Sequence, residues 1–234
     1  MSVAHLRFYG TLNDFLSPAE KDNEIEVHFR SFQSVKDIIE SLGVPHVEVQ
    51  CILVNGTRIS LNGRLHDLDN VSVYPFEGLS AQGGSHRFLI DEHLGKLARN
   101  LRLLGFDSVL RKVESVSETL DLAASEQRTL LTRSLPLLKH KQLKHGYWIR
   151  SQEPLQQVIE VWERFNLKGQ ASPFRRCLIC NGPIIKVAKE QVIDRLEEKT
   201  RQYYSDYYQC SNCQRIFWKG SHYERMLKFL RKLP

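Results

Sequence analysis

Within eighteen residues the chain changes its hydrophobic period. Residues 88–105 read FLIDEHLGKLARNLRLLG. Phe88, Leu89 and Ile90 form an unbroken apolar run, which suits a strand buried on both faces of a parallel sheet. The run stops at Asp91. Leu94, Leu97, Ala98, Leu101 and Leu104 then recur at helical spacing, with Lys96, Arg99 and Arg102 on the opposite face, and Gly105 ends the helix. In open α/β sheets ligands gather at the carboxyl ends of strands, where this pattern puts Asp91. A helix N-cap is an equally good use for an Asp at such a turn.

On either side the pattern predicts two different layouts. Residues 3–9 and 24–29 alternate like half-buried strands. Ser34 can cap a helix with Val35, Ile38, Ile39 and Leu42 as its apolar stripe, ended by Gly43. A strand over 49–54, an Asn55-Gly56 hairpin signal and a strand over 71–75 complete a ββαββ order, a small mixed sheet with one helix across it. After Gly105, strands at 106–110, 129–132 and 147–150 alternate with helices. One spans Val116–Gln127, with Val116, Leu120, Ala123 and Ala124 inward. Leu135–Leu143 carries Lys139, His140 and Lys141, and Leu155–Phe165 follows Pro154. That alternation predicts a parallel sheet covered on both faces. A basic amphipathic helix, Tyr223–Lys232, closes the chain.

Charge separates these layouts. Of the 33 Lys/Arg and 27 Asp/Glu, residues 1–84 hold 6 and 11, a net of −5, which leaves +11 on residues 85–234. An acidic module joined to a basic body points to a polyanion as partner, RNA or DNA. No apolar run reaches the roughly 18 residues of a membrane span, and MSVAHLRFYG lacks the features of a signal peptide. A cytoplasmic location is the expectation.

Four of the five cysteines form two Cys-x-x-Cys pairs, Cys177/Cys180 and Cys210/Cys213. Two such turns can close a tetrahedral site around a structural Zn²⁺, with no open position, as in a zinc ribbon. Two redox pairs are the competing reading. Cys51, in VQCILV, reads as a small buried hydrophobe.

Phosphodiester hydrolysis needs carboxylates converging on Mg²⁺ or Mn²⁺. Asp91 is the first candidate, and Glu118 and Asp121 on the next helix are the others. A further acid belongs at the end of TLLT (129–132). Lys96, Arg99, Arg102, Arg133, Lys139 and Lys141 are the candidate phosphate contacts, and His93 a candidate for phosphate or a metal-bound water. The tyrosines of 203–208 could stack on bases or cover a small sheet.

Strand order, VNG at 54–56 and VSVYPFEG at 71–78 make residues 3–78 similar to the β-grasp, ubiquitin-like sulfur-carrier family of the ThiS and MoaD type. Gly83-Gly84 matches the tail such carriers activate, but Ser85 continues the chain, so a linker competes with a processed tail. Residues 87–226, through FLIDEHLGKLARNLRLLGFDSVL, TLLTR and the CxxC…CxxC…FWKGSHYERM run, resemble the Mut-seven C-terminal RNase family. The resemblance implies four parts: a β-grasp domain over 1–79, a linker over 80–86, a PIN-like α/β/α RNase domain over 87–170 and a zinc ribbon over 171–234. It also implies RNA cleavage with Mg²⁺ or Mn²⁺, Asp91 as the leading acid, and a protein partner for the β-grasp module. One departure stands out. The family's T-R-D is here Thr132-Arg133-Ser134, so a carboxylate is missing. The expected function is a metal-dependent RNase weakened at Ser134. The alternative is a catalytically inactive RNA- or ribosome-binding adaptor.

Overall fold

The computed structural model describes residues 1–76, 86–112 and 115–234. Gly83-Gly84 and most of the expected linker lie outside the described residues. The rest falls into two compact units, one within 1–84 and 114–149, the other within 85–113 and 150–234.

In the first unit, alternation along Ser2–Phe8 (β1) sends Ala4, Leu6 and Phe8 inward. β1 pairs antiparallel with Glu24–Phe29 (β2) and parallel with Asp69–Pro75 (β5), and β5 continues to Val49–Val54 (β3) and Thr57–Ile59 (β4), giving the order β2-β1-β5-β3-β4. The short β4 is a strand beyond the expected ββαββ. It follows from Asn55 and Gly56, whose φ of 49° and 83° suit a tight hairpin. Across the sheet lies Val35–Ser41 (α1), its Val35, Ile38 and Ile39 buried. Its start is a capping box: Ser34 Oγ accepts from the Asp37 N–H at 3.2 Å, and the Ser34 N–H donates back to Asp37 Oδ2 at 3.0 Å. The Ser34 hydroxyl and N–H hold the Asp37 carboxyl below its usual range.

The same unit holds Val116–Ser125 (α3), Thr129–Thr132 (β8), Leu135–Leu138 (α4) and Gly146–Trp148 (β9), with β8 parallel to β9. Two expectations are corrected here. Val116 and Ala124 are exposed, and Thr119 joins Leu120 and Ala123 inside. Ser115 caps the helix, its Oγ accepting from the Glu118 N–H at 3.3 Å, and Thr119 is satisfied inside by donating its hydroxyl to the Ser115 carbonyl at 2.9 Å. The segment 135–143, whose Lys139 the sequence offers as a phosphate contact, is helical only to Leu138. Lys139 instead donates its ammonium to the Glu40 carbonyl at 3.0 Å, and Leu143 is buried.

In the second unit, Arg87–Asp91 (β6) pairs in parallel with Asp107–Arg111 (β7), joined by a 3-10 turn, Glu92–Leu94, and by Gly95–Leu103 (α2). Pro154–Arg164 (α5) brings Phe165 edge-on to Phe88, 5.5 Å between centroids. Gly105, at φ 94°, sits so close to the Ser172 carbonyl that a Cβ would collide with it. The remainder is Ile184–Val187 (β10), Glu198–Tyr203 (α6), Tyr207–Cys210 (β11), Ile216–Trp218 (β12) and Ser221–Leu230 (α7). The three strands form an antiparallel sheet in that order. Tyr207 is its fully buried centre, with its hydroxyl donating to the Thr200 carbonyl at 2.8 Å.

No helix among the described residues is long and apolar enough to cross a membrane.

Candidate functional site

The four cysteines converge. The two turns have the same internal bonding: Asn181 N–H donates to the Cys177 carbonyl at 2.9 Å, and Gln214 N–H to the Cys210 carbonyl at 3.0 Å. In each, the residue after the second cysteine is left-handed, with φ 67° at Asn181 and 58° at Gln214. Cys177, Cys180, Cys210 and Cys213 thereby bring their sulfurs within 4.8 Å of one another. Cys177 Sγ lies 3.7 Å from Cys213 Sγ, and Cys180 Sγ 3.4 Å from Cys210 Sγ. A tetrahedron with Zn–S bonds of about 2.3 Å has edges of about 3.8 Å, so the donor set fits Zn²⁺. The two turns press together, since a Cβ on Gly182 would come 2.7 Å from the Asn212 side chain.

The surroundings favour thiolates unequally. Burial pushes the Cys177 thiol up, and the Cys210 thiol to about 12, despite backbone N–H groups aimed at each sulfur. Burial raises Cys180 too, but the Gly182 N–H and the neighbouring sulfurs outweigh it and bring the thiol down to about 7.

The first turn is tied to the β6-α2-β7 segment by polar bonds. Arg102 was expected on the outer, basic face of α2. It is instead buried, at 6% exposure. Its Nε donates to the Ser108 carbonyl at 2.8 Å, and its Nη1 to the carbonyls of Leu178 and Ile179 at 3.1 and 2.9 Å. Burial draws its pKa below the usual arginine value. With the guanidinium spent in this way, Arg102 leaves the phosphate-contact set. Asn181 completes the joint, accepting from the Ser108 N–H at 3.0 Å and donating to Asp107 Oδ1 at 2.7 Å. Patterning could not reveal Asn181 as a joint residue, because nothing in CNG marks its partner 74 positions away.

Asp91 ends β6, buried at 7% exposure, and its Oδ1 accepts from the His93 N–H at 3.1 Å. It therefore caps the 3-10 turn, one of the two roles open to it. Lys96 and Arg99 are exposed on α2. Glu118 and Asp121 are exposed on α3 in the first unit, the latter accepting from Ser117 Oγ at 3.4 Å. Arg133 and Lys141 are exposed there as well, and Lys139 is half-buried on Glu40. Ser134 is the N-cap residue of α4 and makes no side-chain cap bond, while its N–H donates to Thr132 Oγ1 at 3.0 Å. Among the described residues, the cysteines alone form a group of three or more His, Cys, Asp or Glu ligands close enough to share one metal ion.

Comparison with known proteins gives the following. A family model described as the Mut7-C RNAse domain matches residues 86–230, and one described as Mut7-C ubiquitin matches residues 1–80. No curated protein matches the chain. Among solved structures, a putative molybdopterin converting factor subunit 1 from Pyrococcus furiosus is similar at 23% identity, over 32% of this chain and 98% of its own, with a TM-score of 0.26. The small archaeal modifier protein 1 of H. volcanii is similar at 12% identity, over 32% of this chain and 98% of its own, with a TM-score of 0.26.

Proposed function

We propose a function from one premise: this chain belongs to the Mut7-C RNAse domain family, with a Mut7-C ubiquitin domain ahead of that domain. The proposed activity is hydrolysis of RNA. The observation that carries it is Asp91, a buried carboxylate at the carboxyl end of a parallel strand, leading into a helix that exposes Lys96 and Arg99.

Asp91 would hold a divalent cation, Mg²⁺ or Mn²⁺; Glu118 and Asp121 of α3 are the other candidate acids, although among the described residues no group of three His, Cys, Asp or Glu that includes them lies close enough to share one ion. When bound, such an ion polarises the phosphoryl group and supplies an activated water. Carboxylate oxygens suit these hard cations, and Mg²⁺ commonly binds through one or two carboxylates plus substrate phosphates. The chain's own part is to fix one Asp91 oxygen through the His93 N–H, and to neutralise phosphate charge with Lys96, Arg99, Arg133 and Lys141. The Zn²⁺ implied at the four cysteines would be structural, since all four positions are filled by protein. The N-terminal module is proposed to meet a protein partner.

Ser134 favours the second reading, a catalytically silent RNA- or ribosome-binding adaptor, because a hydroxyl is a poorer ligand for these ions than a carboxylate. One experiment decides. RNA cleavage is measured with Mn²⁺ and Mg²⁺ for wild type, Asp91→Asn and Ser134→Asp. An Asp is welcome at an N-cap, so the second variant should fold. The nuclease reading expects slow wild-type cleavage that prefers Mn²⁺, and faster cleavage at lower metal concentration for Ser134→Asp. Losing several kcal/mol of charge stabilisation at Asp91 should cost about a hundredfold or more. Cleavage indifferent to both substitutions leaves the adaptor standing.

A further inference from the structure

A groove of about 1220 Å³ opens in the second unit between α2, the three-stranded sheet and α7. It exceeds the range of about 300–1,000 Å³ usual for small-molecule clefts. Its lining among the described residues holds seven Lys or Arg side chains, seven Phe, Tyr or Trp rings, and no Asp or Glu. That composition selects a polyanion with flat apolar faces.

The local structure explains why the rings stand there. In the register of β10, β11 and β12, Lys186, Tyr208 and Phe217 lie directly opposite one another and so share one face of the sheet. Tyr207, one residue along, points to the other face and fills the small core with Val192 and Leu196. The sheet thus spends one tyrosine on its core and presents the next, with Phe217, to the groove. The wall opposite belongs to α7. This helix buries none of its residues, yet it carries Tyr223, Met226 and Phe229 at helical spacing, and all three line the groove. Phe174 packs on Tyr223 at 4.6 Å between centroids. Around the rings stand exposed cations, Arg99, Arg175, Arg215, Lys219 and Arg225. Lys186 is paired with Asp206 at 2.7 Å and Arg176 with Asp107 at 3.6 Å, so those two cations already have acidic partners.

We propose that this groove is a binding site for single-stranded RNA, with bases stacked on Tyr208 and Phe217 and phosphates met by Arg215, Lys219 and Arg99. The proposal rests on the reading of RNA as substrate and extends it. The proposed activity needs only a phosphodiester beside Asp91, whereas the groove sets the form of the RNA. Stacking requires unpaired bases, which a duplex does not offer. Because Arg99 lies on α2, the helix that Asp91 leads into, a strand held in the groove is delivered along that helix.

The test uses the full-length, zinc-loaded protein and a labelled oligouridylate of about a dozen nucleotides, a length suited to a groove that tracks a single strand. Anisotropy is followed over a range of salt, without added divalent cation. Wild type should bind the single strand well above a duplex of equal length. Phe217→Ala should weaken binding roughly tenfold with the salt slope unchanged, as loss of one stacked base does. Lys219→Glu, at an exposed position, should lower the salt slope by about one, as loss of one phosphate contact does. Zinc content reports whether each variant keeps its fold, and Lys219→Glu serves if Phe217→Ala does not. Equal affinity for duplex, equal competition by a polyglutamate peptide, or zinc-loaded variants that bind like wild type would overturn the groove. Cleavage by Asp91→Asn at the wild-type rate would instead overturn the nuclease reading and leave these binding results standing.

Discussion

Arg102 shows how one side chain can belong to the architecture while its sequence position suggests a ligand. It falls three residues after Arg99 in a basic stripe, but three carbonyls from two segments converge on it and it is buried. A planar guanidinium with five donors suits this fork, and an ammonium does not. Arg102→Lys should leave at least one buried carbonyl unpaired and cost about 1–3 kcal/mol. Denaturant unfolding checks the loss. RNA binding by a charge-removing variant, Arg102→Gln, gives the second readout: loss of a phosphate contact would lower the salt slope by about one, and Arg102→Gln should leave that slope unchanged. Thr119 makes the same point in miniature. A polar residue faces the core because its Oγ1 can donate to the Ser115 carbonyl, 2.9 Å away.

Among the elements, the Cys-x-x-Cys turns depend most on a ligand. Each is a short loop closed by backbone bonds, and the small core beneath them is built on Val192, Leu196 and Tyr207. So small a cluster holds its fold chiefly through metal. The protein should carry about one zinc per chain, as two such turns complete one tetrahedral site. Cys213→Ser should lose the ion and loosen the β10-β11-β12 sheet, while the β-grasp sheet, with its own core from Ala4 to Val73, stays folded. Metal analysis with amide exchange tests both parts. Four freely titratable thiols in a folded, zinc-free protein would sink the assignment. The tight neighbour of Gly105 is different in kind, since there the Ser172 backbone itself would meet a Cβ.

Across the whole chain, the β-grasp residues are not a separate bead. Within the first unit they share a polar seam with residues 135–148. Both His46 ring nitrogens face acceptors, Nδ1 towards Glu40 Oε1 at 2.6 Å and Nε2 towards the Leu143 carbonyl at 2.9 Å. Glu48, 2% exposed, accepts from the Trp148 N–H at 2.7 Å, and Phe15 packs on Trp148 at 5.1 Å between centroids. A Cβ on Gly146 would come within 2.8 Å of Leu138 and 3.2 Å of Val47, so backbone approaches side chains closely there. His46→Leu would strand the Leu143 carbonyl and the Glu40 carboxylate. It should cost about 1–3 kcal/mol, read by thermal unfolding, with zinc content unaffected. Unaltered unfolding would mean the seam carries no weight.

Much of this was legible in order along the chain. Period two in β1, the Ser34 cap, the Asn55-Gly56 turn, the run into Asp91 and the paired Cys-x-x-Cys turns are all local signals. Each acts over a few residues, through backbone sterics, capping or ligand spacing, and so survives reading one residue at a time. What lay beyond reach was decided over long separations. The place of Lys139 follows from a carbonyl 99 positions earlier, which its ammonium reaches. The burial of Arg102 follows from carbonyls 76 and 77 positions later. Which tyrosine of 203–208 serves the core and which faces the groove depends on the register of β11 between its two neighbours. Local chemistry chose the elements, and only packing could assign their faces, because a side chain's partner is set by whatever the fold brings opposite it.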